Sequence, residues 1–343
     1  MFAFRFAAPQ TTNREYLKTV HDTIVRAVDI QRRYGNRAAN QSIIDEIGVL
    51  VRFERDEAYC AEALDYHLGI LHAHVGEPEL ADYHFERSKT HPSSGGDQLF
   101  SDHQRESLLL RQHQEQAKRR SIPSILIASM PRSGSASLTQ TIAATLDIPI
   151  MRASCGSFPS YFLNRRWFNS AASGGAILHD HFAANTFNLG VLHDAPANQI
   201  FVRVRDPRPA VCSVVKLYER TYGNEREVEF EERVRVHYVK EFIPWLEEWV
   251  AVAADPDSRL KVTWLPYGAS DTEISRTARA ILLSLRQDQP ALSSYLEHDI
   301  PAVQANFVSG DNDGWRKDLS SDGQDDLWQA TPHSVRDLLA LRP

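Results

Sequence analysis

Three hydroxyl side chains and a guanidinium surround one glycine in Pro131-Arg132-Ser133-Gly134-Ser135-Ala136-Ser137. Such a set is suited to hold an anion. Arg132 brings a full charge, Ser133, Ser135 and Ser137 bring donors, and Gly134 lets the backbone approach closely. The stretch is not the loop of nucleoside triphosphatases, which requires G-x-x-x-x-G-K-[ST]; a serine-rich turn before a helix is also an ordinary cap. A second anion site is readable in Arg205 and Ser213, eight residues apart (213 − 205), although Arg205 alone could equally pair with a surface carboxylate. His179 and His181 are the candidate proton acceptors, because a neutral imidazole suits that task near pH 7. Spaced i and i+2 they could also ligate zinc, yet no third ligand stands at a telling spacing, and a structural role is the plainer alternative. Trp315-Arg316-Lys317, in a glycine- and acid-rich loop from Gly310, would be an odd feature without a ligand.

The elements that must position these residues follow from periodicity. Ile125 to Ala128 is a short apolar run of buried-strand type, and Leu138, Ile142 and Leu146 then mark one face of a helix. The 131–137 stretch therefore joins a strand to a helix start, where unpaired N–H groups carry partial positive charge. Ala176 to Phe182 reads as a second strand, whose period of two sets His179 and His181 on one face and Asp180 on the other. Gln199 to Arg205 is a third, followed by Asp206 as helix cap and Pro207 at the first helical position. Ser213 falls about two turns into that helix. Val228 to Ala254 is a long helix with Phe230, Val234, Tyr238, Phe242, Leu246 and Trp249 as core, Arg259 to Leu265 a fourth strand and Thr272 to Arg286 a further helix. Alternation of this kind implies an α/β fold with a parallel sheet covered on both faces. Arg152 to Ser173 reads as irregular. Its Phe158, Tyr161, Phe162, Arg165, Arg166, Trp167 and Phe168 make either a packed excursion or an acceptor wall.

With 343 residues, 42% hydrophobic, the chain can bury a large core and is expected to hold two domains. A net charge of −7 argues against a nucleic-acid polymer as partner. No apolar run reaches membrane-spanning length and the start lacks a signal-peptide pattern, so a cytoplasmic protein is expected. Cys60, Cys155 and Cys212 imply neither a disulfide framework nor a metal cluster. Residues 1–120 read as an all-helical region, with helices over Asn13 to Gly35, Ile43 to Phe53, Ala58 to Val75 and Leu80 to Thr90. Leu68-Gly69, Gly76, Ala81 and Phe85 resemble one tetratricopeptide unit; with a single copy, a helical cap is the better reading than a solenoid. Arg105 to Arg120 reads as a very polar helix leading to Pro123, and residues 121–343 as the α/β domain.

In combination, strand–PRSGSAS–helix and strand–RDPRPAVCS–helix resemble the sulfotransferases that use 3′-phosphoadenosine 5′-phosphosulfate, in the PRSG-type branch of many bacterial and carbohydrate-directed members. The resemblance spans Ser124 to Leu319. It implies a three-layer, P-loop-like sandwich, with Arg132, Ser133, Gly134, Ser135, Ala136 and Ser137 on the 5′-phosphosulfate. Arg205 and Ser213 would lie on the 3′-phosphate, with Trp315, Arg316 and Lys317 as the later nucleotide loop. The family's catalytic histidine falls at His181, with His179 competing for the role on the same strand face. Ala136 stands where a Thr is frequent, and Val308-Ser309 replace a basic pair. The implied reaction moves a sulfuryl group in line to an acceptor hydroxyl, with 3′-phosphoadenosine 5′-phosphate as product and no metal. A carbohydrate acceptor is expected; a lipid, a peptide tyrosine or a small aromatic metabolite is the alternative, and a kinase-like enzyme a more distant one. A homodimer stays open.

Overall fold

The computed structural model describes residues 68–69, 72–73, 77–90, 109–155, 158–159, 161–195, 198–222, 229–268, 270–303 and 314–341. The chain divides into two compact units, Met1–Arg105 and Glu106–Pro343. In the first, helix α1 (Pro78–Thr90) buries Ala81 and Phe85. A Cβ on Gly69 would stand 2.5 Å from the Phe85 ring, so only glycine allows that approach. The helices expected over residues 13–35 and 43–53, and most of 58–75, lie outside the described residues.

The second unit starts with a helix over 109–119, here α2. Its surface is polar, yet Ala117 is fully buried and Gln114 Nε2 donates to the carbonyls of Ser170 (3.0 Å) and Gly174 (2.8 Å). This helix therefore packs with the sheet, Ala117 joining Ile125 and Ile127 in one core cluster. The sheet has five strands, all parallel: β1 (Ile125–Ser129), β2 (Ile150–Met151), β5 (Ile177–Asp180), β6 (Gln199–Val204) and β7 (Lys261–Pro266), in the order β2-β5-β1-β6-β7. Helices surround it as in a three-layer sandwich. Ile127 stands level with His179 on β5 and Phe201 on β6. The face bearing Ile125, Ile127, Ile177 and Phe201 packs on Leu138, Ile142 and Leu146 of α3 (Ser135–Leu146), together with Ala278, Ile281 and Leu282 from the helix over Asp271–Arg286.

The described part of residues 152–173 has more regular structure than its sequence implies. A two-stranded antiparallel ribbon, β3 (Ser154–Cys155) with β4 (Phe162–Leu163), leads into helix α4 (Arg165–Ala172). Asn164 caps that helix, its side chain accepting from the Trp167 N–H at 3.0 Å, a local signal hidden among aromatics. Further helices follow at Thr186–His193 (α5), Pro207–Tyr222 (α6), Ser321–Ala330 and His333–Leu339. The long helix expected over 228–254 runs as Phe230–His237, a wider π turn at Tyr238–Phe242, and Ile243–Ala254. Pro244 explains the wide turn, since proline lacks an N–H and crowds the carbonyl a turn earlier. Among the described residues no helix is long and apolar enough to cross a membrane.

Candidate functional site

Because β2 and β5 lie to one side of β1 and β6 and β7 to the other, the direction of winding reverses at β1. Ligands bind outside the carboxyl ends of strands at such a reversal. The residues singled out from sequence converge there, on both sides of β1.

The turn after β1 folds tightly. Met130 N–H donates to the Arg203 carbonyl (3.0 Å) and Ser133 N–H to the Met130 carbonyl (3.3 Å). Arg132 (φ 61) and Gly134 (φ 71) are both left-handed. For Gly134 that conformation is free of steric penalty, and a Cβ there would also press to 3.0 Å from the Tyr267 ring. Helix α3 begins with no side-chain cap and no acid in its first turn. By contrast Asn164, Asn185, Ser270 and Ser320 each accept an N–H at the start of their helices. The start of α3 is thus uncapped by any side chain, as an anion-binding helix start is. Ser133 Oγ, fully buried in the same turn, has no hydrogen-bond partner. Ser135 and Ser137 are also buried, while Ala136 is half-buried and its carbonyl accepts from Thr139 Oγ1 (3.1 Å).

Arg203 braces this turn from beneath. It is fully buried and donates from Nε to the Ser133 carbonyl (3.1 Å), from Nη1 to the Pro266 carbonyl and from Nη2 to the Gly268 carbonyl (3.4 Å). Burial draws its pKa down to about 10, which leaves it charged at neutral pH. Nothing in the sequence reading singled out Arg203. The signal was its parity, since it shares a strand face with Arg205 two residues on.

The turn after β6 is arranged differently. Asp206 caps α6, accepting from the Arg208 N–H (3.0 Å), and its carboxylate also accepts from Arg208 Nε (3.0 Å) and Nη2 (2.8 Å). Arg205 lies with its guanidinium 4.3 Å from the Tyr267 ring centroid and donates from Nη1 to the Arg132 carbonyl (3.3 Å). Arg132 Nε in turn donates to Ser213 Oγ (2.9 Å). The two anion-binding sets named from sequence therefore meet. Burial and the neighbouring Arg220 both weaken Arg132's hold on its proton, as expected where positive charge is concentrated.

Trp315, Arg316 and Lys317 occupy a short turn, Gly314–Lys317. Trp315 is buried, with the Arg208 guanidinium 5.1 Å from its ring centroid and 5.5 Å from that of Trp328. Trp315 thus has a packing role at the start of α6, independent of any ligand. Arg316 and Lys317 are exposed, and Arg316 donates to Gln324 Oε1 (3.2 Å). Gly310 to Asp313, with Val308 and Ser309, lie outside the described residues.

On the opposite side of β1 stand the histidines. Ser129, the last residue of β1, joins them: its Oγ lies 2.9 Å from His179 Nε2 and 3.0 Å from His181 Nδ1, and its carbonyl lies 2.7 Å from His181 Nδ1. A carbonyl oxygen can only accept, so His181 Nδ1 carries the proton and Nε2 is left with its lone pair. The Ser129 hydroxyl then accepts from His181 and donates to His179 Nε2, which occupies the latter's lone pair. Burial, the nearby His181 and Arg152 push the His179 pKa down to about 3. Burial also lowers His181, opposed by the bond to the Ser129 backbone and by Asp180, and assisted by Arg152. Both imidazoles are neutral at pH 7 as a result. Asp180 faces away, its carboxylate accepting from Ser154 Oγ and from the His181 N–H (3.0 Å).

Of the aromatic stretch, Phe162 and Phe168 are core, Phe158 packs on Phe242 (5.1 Å between centroids) and Arg165 pairs with Asp194. Tyr161 is placed otherwise: its ring lies 6.0 Å from that of His181. Among the described residues no group of His, Cys, Asp and Glu side chains is arranged to hold a metal ion. No protein-family model matches the chain, and no curated protein matches it.

Proposed function

We propose that the chain is a sulfotransferase that uses 3′-phosphoadenosine 5′-phosphosulfate and sulfates an acceptor hydroxyl, most fittingly on a carbohydrate. One observation carries this reading. Two strand-end turns share a cluster of positive charge, linked by Arg132 to Ser213 (2.9 Å) and Arg205 to the Arg132 carbonyl (3.3 Å), and across β1 from them stands a neutral imidazole whose Nε2 bonds no described residue. The buried, unpartnered Ser133 hydroxyl and the uncapped start of α3 fit a phosphate, and Arg205 with Ser213 fits a second one. Ser133, Gly134, Ser135, Ala136 and Ser137 would hold the 5′ end and Arg205 and Ser213 the 3′-phosphate. Trp315, Arg316 and Lys317 would be the later nucleotide loop, with Trp315 also bracing Arg208.

When bound, the donor supplies an activated sulfuryl group. The remaining work falls to the protein. His181 Nε2 takes the proton of the acceptor hydroxyl, while Ser129 keeps the proton of Nδ1 fixed and so keeps Nε2 basic. His179, its lone pair engaged by Ser129, positions rather than transfers. Arg132 and the α3 N–H groups stand fixed where negative charge gathers on the departing phosphate, which avoids reorganisation. Tyr161, beside His181, offers a sugar a flat apolar wall. A protein of this kind has no call for a nucleic-acid polymer, and a cytoplasmic location accords with the reading.

The test is calorimetric titration with adenosine 3′,5′-bisphosphate and separately with ATP, followed by transfer of labelled sulfate to a panel of hydroxyl acceptors. The bisphosphate is expected to bind well and ATP much more weakly. No affinity for the bisphosphate, or equal affinity for ATP, overturns the proposal.

A further inference from the structure

The order of strands sets out the groups along one edge of the sheet. From β6 to β2 the carboxyl ends present Arg205, then the 131–137 turn, then His179 and His181, and last Arg152, just past the end of β2. Strand β2 pairs with β5 so that Ile150 is level with Ile177 and Met151 with Leu178. Arg152 follows directly, just past the last paired residue of β2 and next to the carboxyl end of β5, where His179 and His181 stand. The chain stays beside β5 thereafter, because Ser154 Oγ donates to Asp180. Arg152 is exposed and makes no hydrogen bond or ion pair with another described residue. Its charge lowers the proton affinity of His179, His181 and Tyr161 alike, so it lies within electrostatic reach of all of them.

We propose that Arg152 is the anion anchor of the acceptor site, and that the acceptor is a saccharide carrying a carboxylate or sulfate close to the hydroxyl that reacts. The inference rests on the sulfotransferase reading and sharpens it. Position gives the first argument: Arg152 stands on the far side of the base from Arg205 and the 131–137 turn, so the donor's phosphates leave it uncovered. Charge gives the second. A cation beside a general base weakens that base, and only an anion that binds with the reacting hydroxyl restores it. Adjacent strands are about 4.8 Å apart, which keeps the acceptor's charge on the reacting ring or its neighbour. Tyr161 and Arg152 would together receive a ring with one charged edge.

The test uses the full chain saturated with adenosine 3′,5′-bisphosphate, which occupies the donor's arginines. It is titrated with methyl β-glucuronide, glucose 6-sulfate and the neutral methyl β-glucoside. At least one anionic sugar is expected to bind roughly tenfold or more tighter than the neutral one. Arg152→Gln should erase that preference and leave affinity for the bisphosphate unchanged, while Arg152→Lys should keep part of it. The inference is overturned if the wild-type protein binds all three sugars equally or none, or if the preference survives in Arg152→Gln. Preference for the carboxylate or for the sulfate names which anion the site takes. Failure of the bisphosphate to bind at the outset is a different result, and removes the sulfotransferase reading itself.

Discussion

The two flanks of β1 are built from opposite electrostatics. Toward β6 the fold gathers permanent positive charge: Arg203 beneath the first turn, Arg132 half-buried within it, Arg205 buried against it, Arg208 locked to Asp206. Toward β5 it sets two imidazoles, both kept neutral by burial. The guanidiniums stay charged at neutral pH, which suits grip on a phosphate. The imidazoles are held uncharged, which suits taking a proton. Ser129, on the strand between, is level with Arg203 on β6 but gives its side-chain hydrogen bonds to the two histidines, so the proposed binding and proton-transfer roles fall to different side chains.

The largest expected effect lies on the neutral flank. His181→Ala should lower the rate of sulfate transfer by about 10²- to 10⁴-fold with adenosine 3′,5′-bisphosphate still bound at its former affinity. Single-turnover assays beside calorimetry check this. Equal loss in a His179→Ala protein with His181 intact would break the assignment, since His179 should matter only through Ser129. The pH profile sharpens it. The pKa of His181 is lowered below its ordinary 6.5, and the imidazole works when neutral, so activity should persist below pH 6.5 and fall only as His181 protonates. Arg152→Gln removes a cause of that lowering and should move the acid limb to higher pH.

The charged flank should respond in the other coordinate. Arg205→Ala is expected to weaken binding of the bisphosphate roughly 10- to 100-fold, the cost of a lost hydrogen bond to a charged group, with little change in rate at saturation. Arg132→Ala should do both, because Arg132 stands at the junction of grip and developing charge. A rate loss in Arg205→Ala as large as that of His181→Ala would show the flanks to be one unit.

Much of this division is legible in the sequence, and its gaps have physical reasons. The runs Ile125 to Ala128 and Gln199 to Arg205 and the spacing of Leu138, Ile142 and Leu146 follow buried periodicities, and the elements form within one residue of where those rules put them, as strands Ile125–Ser129 and Gln199–Val204 and helix Ser135–Leu146. Strand β2 has two residues, too few for any period to show, and with it went Arg152. Ser129 lies just past the apolar run Ile125 to Ala128, and only pairing with β5 brings it to the histidines. Arg203 looked like an ordinary strand charge, and its burial depends on carbonyls from Ser133, Pro266 and Gly268, which no local pattern predicts. The aromatics of 158–168 divide between core and site according to the ribbon β3–β4, whose pairing is likewise non-local.

The smallest effects separate the two turns of the charged flank from each other. Asp206 caps its helix and neutralises Arg208, whose side chain is only 5% exposed. Asp206→Ala should therefore lower stability by at least about 1 kcal/mol for the cap, and further for the buried guanidinium it abandons. Ser133 is the reverse case, because its buried hydroxyl already lacks a partner in the free protein. Removing an unsatisfied buried hydroxyl takes away a desolvation penalty and no bond, so Ser133→Ala should leave the stability read from urea unfolding unchanged or raise it, by up to about 1 kcal/mol. The same change should reduce the extra stability that added bisphosphate confers, since the hydroxyl finds its partner only in the bound state. Opposite signs in the free protein, with loss of ligand stabilisation in Ser133→Ala, are what an open turn beside a closed one requires. If Ser133→Ala instead destabilises the free protein as much as Asp206→Ala does, the first turn is an ordinary structural cap and its claim to a phosphate falls.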